Sequence, residues 1–209
     1  MIITNIQSLI KALKQQYDTA NTMIEMELFN AILLERTARA LQIIESGHYD
    51  PEYIDSEGYT ALILACRNNM PDVAMALIST GNAKPEYVNM FGKTALIWAC
   101  YNDMPDVALA LIATGKSKPE QANNNGSTAL ICACRNNMPI IALALIASGQ
   151  SKPEQINKIG ATALTYAKRN NMTDVINVLE NYDNYMASLQ QIAQSNPYDD
   201  PNYVMTINI

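Results

Sequence analysis

The chain repeats itself every 34 residues. Thr60-Ala61-Leu62 overlies Thr94-Ala95-Leu96, Thr128-Ala129-Leu130 and Thr162-Ala163-Leu164. Gly58, Gly92, Gly126 and Gly160 keep the same phase, as do Gly47, Gly81, Gly115 and Gly149. So do Pro51, Pro85, Pro119 and Pro153, each followed by Glu. A fixed period of this length identifies one supersecondary unit per repeat, whose apolar face is buried only by stacking on its neighbours. The register extends one period upstream, with Leu28 under Leu62, Ala31 under Ala65 and Gly47 under Gly81, although the Thr and the first Gly are missing. Five units follow, over 21–54, 55–88, 89–122, 123–156 and 157–190, the first and last degenerate as the ends of a stack require.

Within a unit, glycine at Gly58 permits a tight turn and Thr60 is placed to cap a helix over 61–68. Leu62, Ala65 and Cys66 share a face of that helix. Asn69 tolerates the left-handed conformation of a helix end, and Pro71 fits the first turn of a second helix whose start Asp72 favours electrostatically. Val73, Leu77 and Ile78 recur at helical spacing, and Gly81 closes the helix before an extended connection of about a dozen residues. Each unit therefore reads as helix, turn, helix, extended loop.

These residues resemble the ankyrin repeat, whose turn glycine, Thr-Pro-Leu-His-x-Ala signature and Gly-terminated second helix correspond to Gly-x-Thr-Ala-Leu-Ile-x-Ala-Cys here. The likeness covers roughly residues 21–183. Ala61, Ala95, Ala129 and Ala163 stand where the family has Pro; Ile63, Ile97, Ile131 and Thr165 stand where it has His; each full unit is one residue longer than usual. The resemblance implies an all-α ankyrin-repeat solenoid of helix-turn-helix units with extended connecting loops and helical caps, losing some rigidity at the helix starts and a hydrogen-bonding network between turns. The variant motif looks like ankyrin arrays of large DNA viruses and of intracellular bacteria. Outside the repeat domain, taken as 21–183, Ile6, Leu9, Ile10 and Leu13 are spaced for a capping helix within residues 1–20. Met186, Leu189 and Ile192 can continue a helix in 184–209 before an extended tail.

Composition narrows the function. The charge of −6 with a pI near 4.8 opposes tight binding to a phosphate backbone, so no nucleic-acid partner is expected. No run approaches the roughly 18 apolar residues of a membrane span, and the N-terminus lacks the basic and apolar regions of a secretion signal. A cytoplasmic protein is expected, in a host cytoplasm if the chain is viral or a secreted effector. Cys66, Cys100 and Cys134 occupy one repeat column and Cys132 lies beside it. Equivalent residues on helices about 8–10 Å apart exceed the roughly 7 Å limit for a disulfide, so four free packing thiols are expected. The single histidine, His48, reads as a surface residue, and the glycines come singly rather than in a phosphate-binding cluster. No catalytic residue, metal site or cofactor is expected, and the chain is not read as an enzyme.

What remains is a binding surface. In ankyrin proteins the ligand lies across the turn tips and the inner face of the first helices, on columns that face solvent. By that resemblance the tip columns are Ser56, Glu57 and Tyr59, then Met90, Phe91 and Lys93, then Asn124, Asn125 and Ser127, then Lys158, Ile159 and Ala161. The helix columns are Leu64, Trp98, Cys132 and Tyr166, and Arg67, Tyr101, Arg135 and Arg169. Met90, Phe91, Trp98 and Tyr101 place apolar and aromatic groups where neighbouring units are mostly polar, a composition typical of interface anchors. Trp98 is equally explained by packing against adjacent helices. Arg67, Lys93, Arg135, Lys158 and Arg169 face only Glu57, so this face is expected to be locally positive and to meet a protein segment bearing acidic and apolar residues. The arginines also suit the negative ends of their helices. The chain is expected to be a monomer; the alternative is a scaffold subunit self-associating through Met75, Leu109, Ile140 and Leu143 on the outer helices. The Asn68, Asn102, Asn136 and Asn170 column is read only as helix-end chemistry, without a ligand.

Overall fold

The computed structural model describes residues 27–182 and 184–186, and these contain helices, turns and loops but no strand. Helix pairs stack in two layers. The short layer holds α1, described over 27–33, α3 (Ala61–Arg67), α5 (Ala95–Tyr101), α7 (Ala129–Arg135) and α9 (Ala163–Arg169). The longer layer holds α2 (Thr37–Ser46), α4 (Pro71–Ser79), α6 (Pro105–Ala113), α8 (Pro139–Ala147) and α10 (Thr173–Glu180). From α3 onward each short helix packs on the next one and on its own long partner, while α2, α4, α6, α8 and α10 pack in sequence.

The expected local signals form these elements. Thr60, Thr94 and Thr128 each accept the backbone N–H three residues on through Oγ1, at 3.2, 3.2 and 3.4 Å. Thr162 does the same with Thr165, whose own hydroxyl accepts the Thr162 N–H and closes a reciprocal capping box. The first helix ends at Arg67, one residue before the expected end, with Asn68 as its C-cap; Asn69, Asp103, Asn137 and Asn171 then take φ of 53 to 55°. Asn and Asp carry this left-handed residue at lower cost than other side chains. Pro71, Pro105 and Pro139 open the long helices, and Gly81 closes α4 by donating its N–H to the Ile78 carbonyl at 3.0 Å.

Two expectations are corrected. Leu64, Cys132 and Tyr166, assigned to a solvent-facing column, are buried, as are Tyr59, Ser127 and Ala161 at the tips; Trp98 alone of its column is half-buried. A seven-residue helix flanked by a neighbour on each side and by its long partner has little circumference left for solvent. In α3 every residue from Ala61 to Cys66 is buried. The asparagine column is more than helix-end chemistry. Asn102, Asn136 and Asn170 each donate through Nδ2 to two carbonyls at the end of the preceding short helix: Cys66 and Arg67, Cys100 and Tyr101, Cys134 and Arg135. Asn68 donates to the Ile32 carbonyl. The ladder satisfies helix-end acceptors that would otherwise need water, and it links turns of successive units in a chain whose repeats lack the family's histidine.

Leu28 and Ala31 are buried in α1, as the upstream register predicts. The proposed capping helix at 1–20 lies outside the described residues, as do Leu189, Ile192 and the tail. Residues 184–186 are helical, and the Met186 methyl lies 3.1 Å from where a Cβ on Gly149 would sit. All four cysteines are free and buried.

Candidate functional site

The turn tips are built from their own backbone. Asn89 accepts the N–H groups of Phe91 and Lys93 on Oδ1, at 3.1 and 2.9 Å, and donates its own N–H to the Lys93 carbonyl. Asp55, Asn123 and Asn157 do the same work in the other units. Successive tips are joined by single backbone bonds: Met90 N–H to Glu57 carbonyl, Asn124 N–H to Phe91 carbonyl and Lys158 N–H to Asn125 carbonyl, at 3.0, 3.0 and 2.9 Å. Gly92 shows why a glycine recurs here. Its φ is +72°, and a Cβ would stand 2.9 Å from Asn124 Oδ1 and 3.0 Å from Asn123 Cα, so the next tip leaves no room for one.

On this rigid ribbon, aromatic rings and cations alternate. Phe91 is 41% exposed, with its ring centroid 6.3 Å from that of the buried Tyr59, and the Arg67 guanidinium carbon lies 5.0 Å from the Tyr59 centroid. Lys93 Nζ sits 3.4 Å from the Trp98 ring centroid and 5.0 Å from that of Tyr101. Trp98 and Tyr101 meet edge to face at 5.6 Å, and the Arg135 guanidinium carbon lies over the Tyr101 ring, 4.6 Å from its centroid. Such cation–ring contacts fix long side chains without neutralising them. Among the described residues Arg67, Lys93 and Arg135 form no ion pair; the carboxylates that are paired meet Arg39, Lys84 and Lys168.

Tyr59, Arg67, Phe91, Lys93 and Trp98, with Asn123 to Asn125 of the next tip, line a groove of about 340 Å3. Burial pushes the Lys93 amine below the ordinary lysine value; Cys132 opposes that shift, and the nearby Arg135 and Arg67 reinforce it. Burial also raises the Tyr59 phenol, against the pull of Arg67 and with reinforcement from Glu57 and Asp55. Trp98 Nε1 is buried without a hydrogen-bond partner. The site is thus a cationic groove with an aromatic lining and amides along one edge.

The expected surface is therefore divided. Arg67, Phe91, Lys93, Trp98, Tyr101 and Arg135 come together, with Tyr59 beneath them as a floor rather than at an exposed tip. Glu57, Met90, Lys158 and Arg169 are exposed but do not line the groove. Arg67, Arg135 and Arg169 are each the last residue of their short helix, as the helix-end reading requires. Asn123 was not among the expected residues; the Asn123-Asn124-Asn125 run was its signal, because the first of three tip asparagines must turn inward to accept the backbone. Among the described residues no three His, Cys, Asp or Glu side chains are grouped to hold a metal ion, and no helix is long and apolar enough to cross a membrane.

No curated protein matches the sequence significantly. The sequence does match the family of ankyrin repeats, described as three copies, over residues 28–122 and 112–188. That match spans most of the chain and coincides with the stacked units and their Thr caps. Ankyrin repeats generally act as protein–protein interaction modules, and this chain belongs to the ankyrin-repeat family.

Proposed function

We propose that the chain is a non-enzymatic interaction module that binds an extended protein segment across the concave, tip-bearing face, with the segment's apolar side chains on Phe91 and Trp98 and its acidic groups on Arg67, Lys93 and Arg135. One observation carries the reading: three cations held over aromatic rings without a carboxylate partner, on an otherwise acidic protein. Aromatic anchors ringed by positive charge suit a partner that is apolar and negative. Glu57, Tyr59, Met90, Lys158 and Arg169 extend or support that surface. Four buried free thiols support a reducing, cytoplasmic setting, and a role at a host interface fits the resemblance to viral and bacterial arrays.

The test is selection from a random peptide library on the full chain, repeated with Phe91→Ala and Arg135→Glu. Selected peptides should be acidic and apolar and should fail on both variants while the unfolding midpoints stay unchanged. Peptides that bind both variants as well as the parent would remove the concave face from consideration. One observation favours a second reading, self-association through the outer helices: Ile140 is 70% exposed at the position where other units carry Asp72, Asp106 and Asp174, and Met75 and Leu109 are exposed on α4 and α6, although Leu143 is half-buried. Light scattering at micromolar concentration decides between them; a monomer is expected, and a dimer lost in Ile140→Asp would support the outer face.

A further inference from the structure

The cations of the groove are more than one carboxylate can neutralise. Lys93 and Arg135 share the Tyr101 ring, Arg67 lies over Tyr59, none of the three meets an acidic group, and Lys93 is crowded by both arginines. A carboxylate brings a single charge and two acceptor oxygens. A phosphomonoester brings about −1.5 to −2 at neutral pH and three acceptor oxygens, which match a guanidinium fork and an ammonium at once. Trp98 lines the groove, and its buried indole N–H has no hydrogen-bond partner. Finally, Phe91 offers an exposed ring face at the mouth, and the amides of Asn124 and Asn125 edge the same space.

We propose that the groove takes a phosphotyrosine side chain of a protein partner, its ring against Phe91 and its phosphate on Arg67 and Lys93, with the adjoining Arg135 adding charge. This rests on the tip-bearing face being the partner surface, and it adds to that reading a requirement for phosphorylation. A phosphotyrosine unites in one side chain the two properties that the groove presents separately, an aromatic lining and a concentrated positive charge. An acidic segment without phosphate fits the charge less well, because carboxylates on separate residues reach the three cations only by ordering more of the chain.

Trp98 is the only tryptophan in the sequence, so its emission reports on the groove alone. The intact chain is titrated with a short acidic and apolar peptide carrying phosphotyrosine, the same peptide unphosphorylated, phenyl phosphate and inorganic phosphate, with calorimetry as a second readout. The phosphorylated peptide should give a saturable change and bind about tenfold or more tightly than the unphosphorylated one. Arg135→Gln and Lys93→Gln should each reduce that preference with thermal unfolding unchanged, and Lys152→Gln, at an exposed position away from the tip-bearing face, should not. Equal binding of the two peptides, lost in Phe91→Ala, would overturn the phosphotyrosine assignment and leave the partner surface standing. Phenyl phosphate binding as tightly as the phosphopeptide would identify a free aromatic phosphate as the ligand and overturn the protein source. Inorganic phosphate matching both would remove the ring from recognition, and absence of binding by all four probes would overturn the proposal outright.

Discussion

Replacing Asn136 by alanine tests whether the asparagine ladder holds successive units together. Asn136 Nδ2 donates to the Cys100 carbonyl at 2.9 Å and to the Tyr101 carbonyl at 2.6 Å. A net gain of roughly 0.5–1.5 kcal/mol per bond, at the low end for the exposed Tyr101 carbonyl where water can substitute, gives about 1–2 kcal/mol for the variant. Asn136→Asp should cost more, since a carboxylate cannot donate and would set negative charge against two acceptors at the negative end of α5. Asn68→Ala should cost about half as much as Asn136→Ala, because Asn68 makes a single bond of 3.1 Å, to Ile32. Urea unfolding followed by far-UV circular dichroism gives these differences directly, and the slope should be unchanged, since none of the variants alters the surface exposed on unfolding. The double variant Asn102→Ala/Asn136→Ala should be close to additive, because its bonds lie in different interfaces. An Asn136→Ala cost no larger than that of Asn68→Ala, or an aspartate no worse than the alanine, would refute the ladder as a source of stability.

Leu96→Ala, in a fully buried position shared by two interfaces, should cost about 2–5 kcal/mol by chemical denaturation, whereas Leu28→Ala in the first unit should cost less and mainly fray that end in hydrogen exchange; equal losses would contradict the stacked architecture. Gly92→Ala should destabilise more than Gly115→Ala, since both have positive φ but only Gly92 is crowded by the next unit; equal unfolding midpoints would show that the close approach carries no cost. Burial raises the thiol of Cys132 to about 11 and that of Cys134 to about 12, against roughly 8.5 in an unfolded chain. Between those values the unfolded state holds fewer protons than the folded state, so stability should fall as pH rises above about 8.5, and a cysteine-free variant should lose less over the same range. The native protein should react with a thiol reagent only as it unfolds, releasing four equivalents; prompt reaction at neutral pH would sink the burial argument.

The repeat made most of this architecture legible, because the features that recur are those that local chemistry decides. A threonine before an apolar run, a left-handed Asn, a proline in a first turn and a glycine at a helix end each act within a few residues of chain. The errors lie where three elements meet. Leu64 and Cys132 were assigned outward from the family's geometry, yet Ala61-Leu62-Ile63-Leu64-Ala65-Cys66 is apolar on every side, and a helix of that composition is one that neighbours enclose. The ankyrin resemblance puts Tyr59 in a tip column. Its ring instead fills the space under Phe91, a contact 32 residues distant that no local pattern encodes. The cation–ring network was half legible: the charge imbalance of the columns was visible, but not which residues share a groove. The asparagine ladder could be read only as a helix end, because its acceptors belong to the preceding unit.

The bonds between units all reach back by one period, whereas the groove draws Tyr59 and Arg67 from one unit, Phe91, Lys93 and Trp98 from the next, and the three asparagines from a third, which also supplies Arg135 beside the Tyr101 ring. Framework and recognition therefore have different inheritance. A duplication or loss of one whole unit presents every carbonyl and amide at the junction with an equivalent partner and can leave a folded protein, yet it separates the three contributors to the groove or copies only some of them. Recombination among repeats is thus nearly silent for folding and abrupt for the groove. A chain of this kind can gain or lose whole units and stay folded, while keeping the proposed recognition surface only when the block from Tyr59 to Arg135 passes on intact.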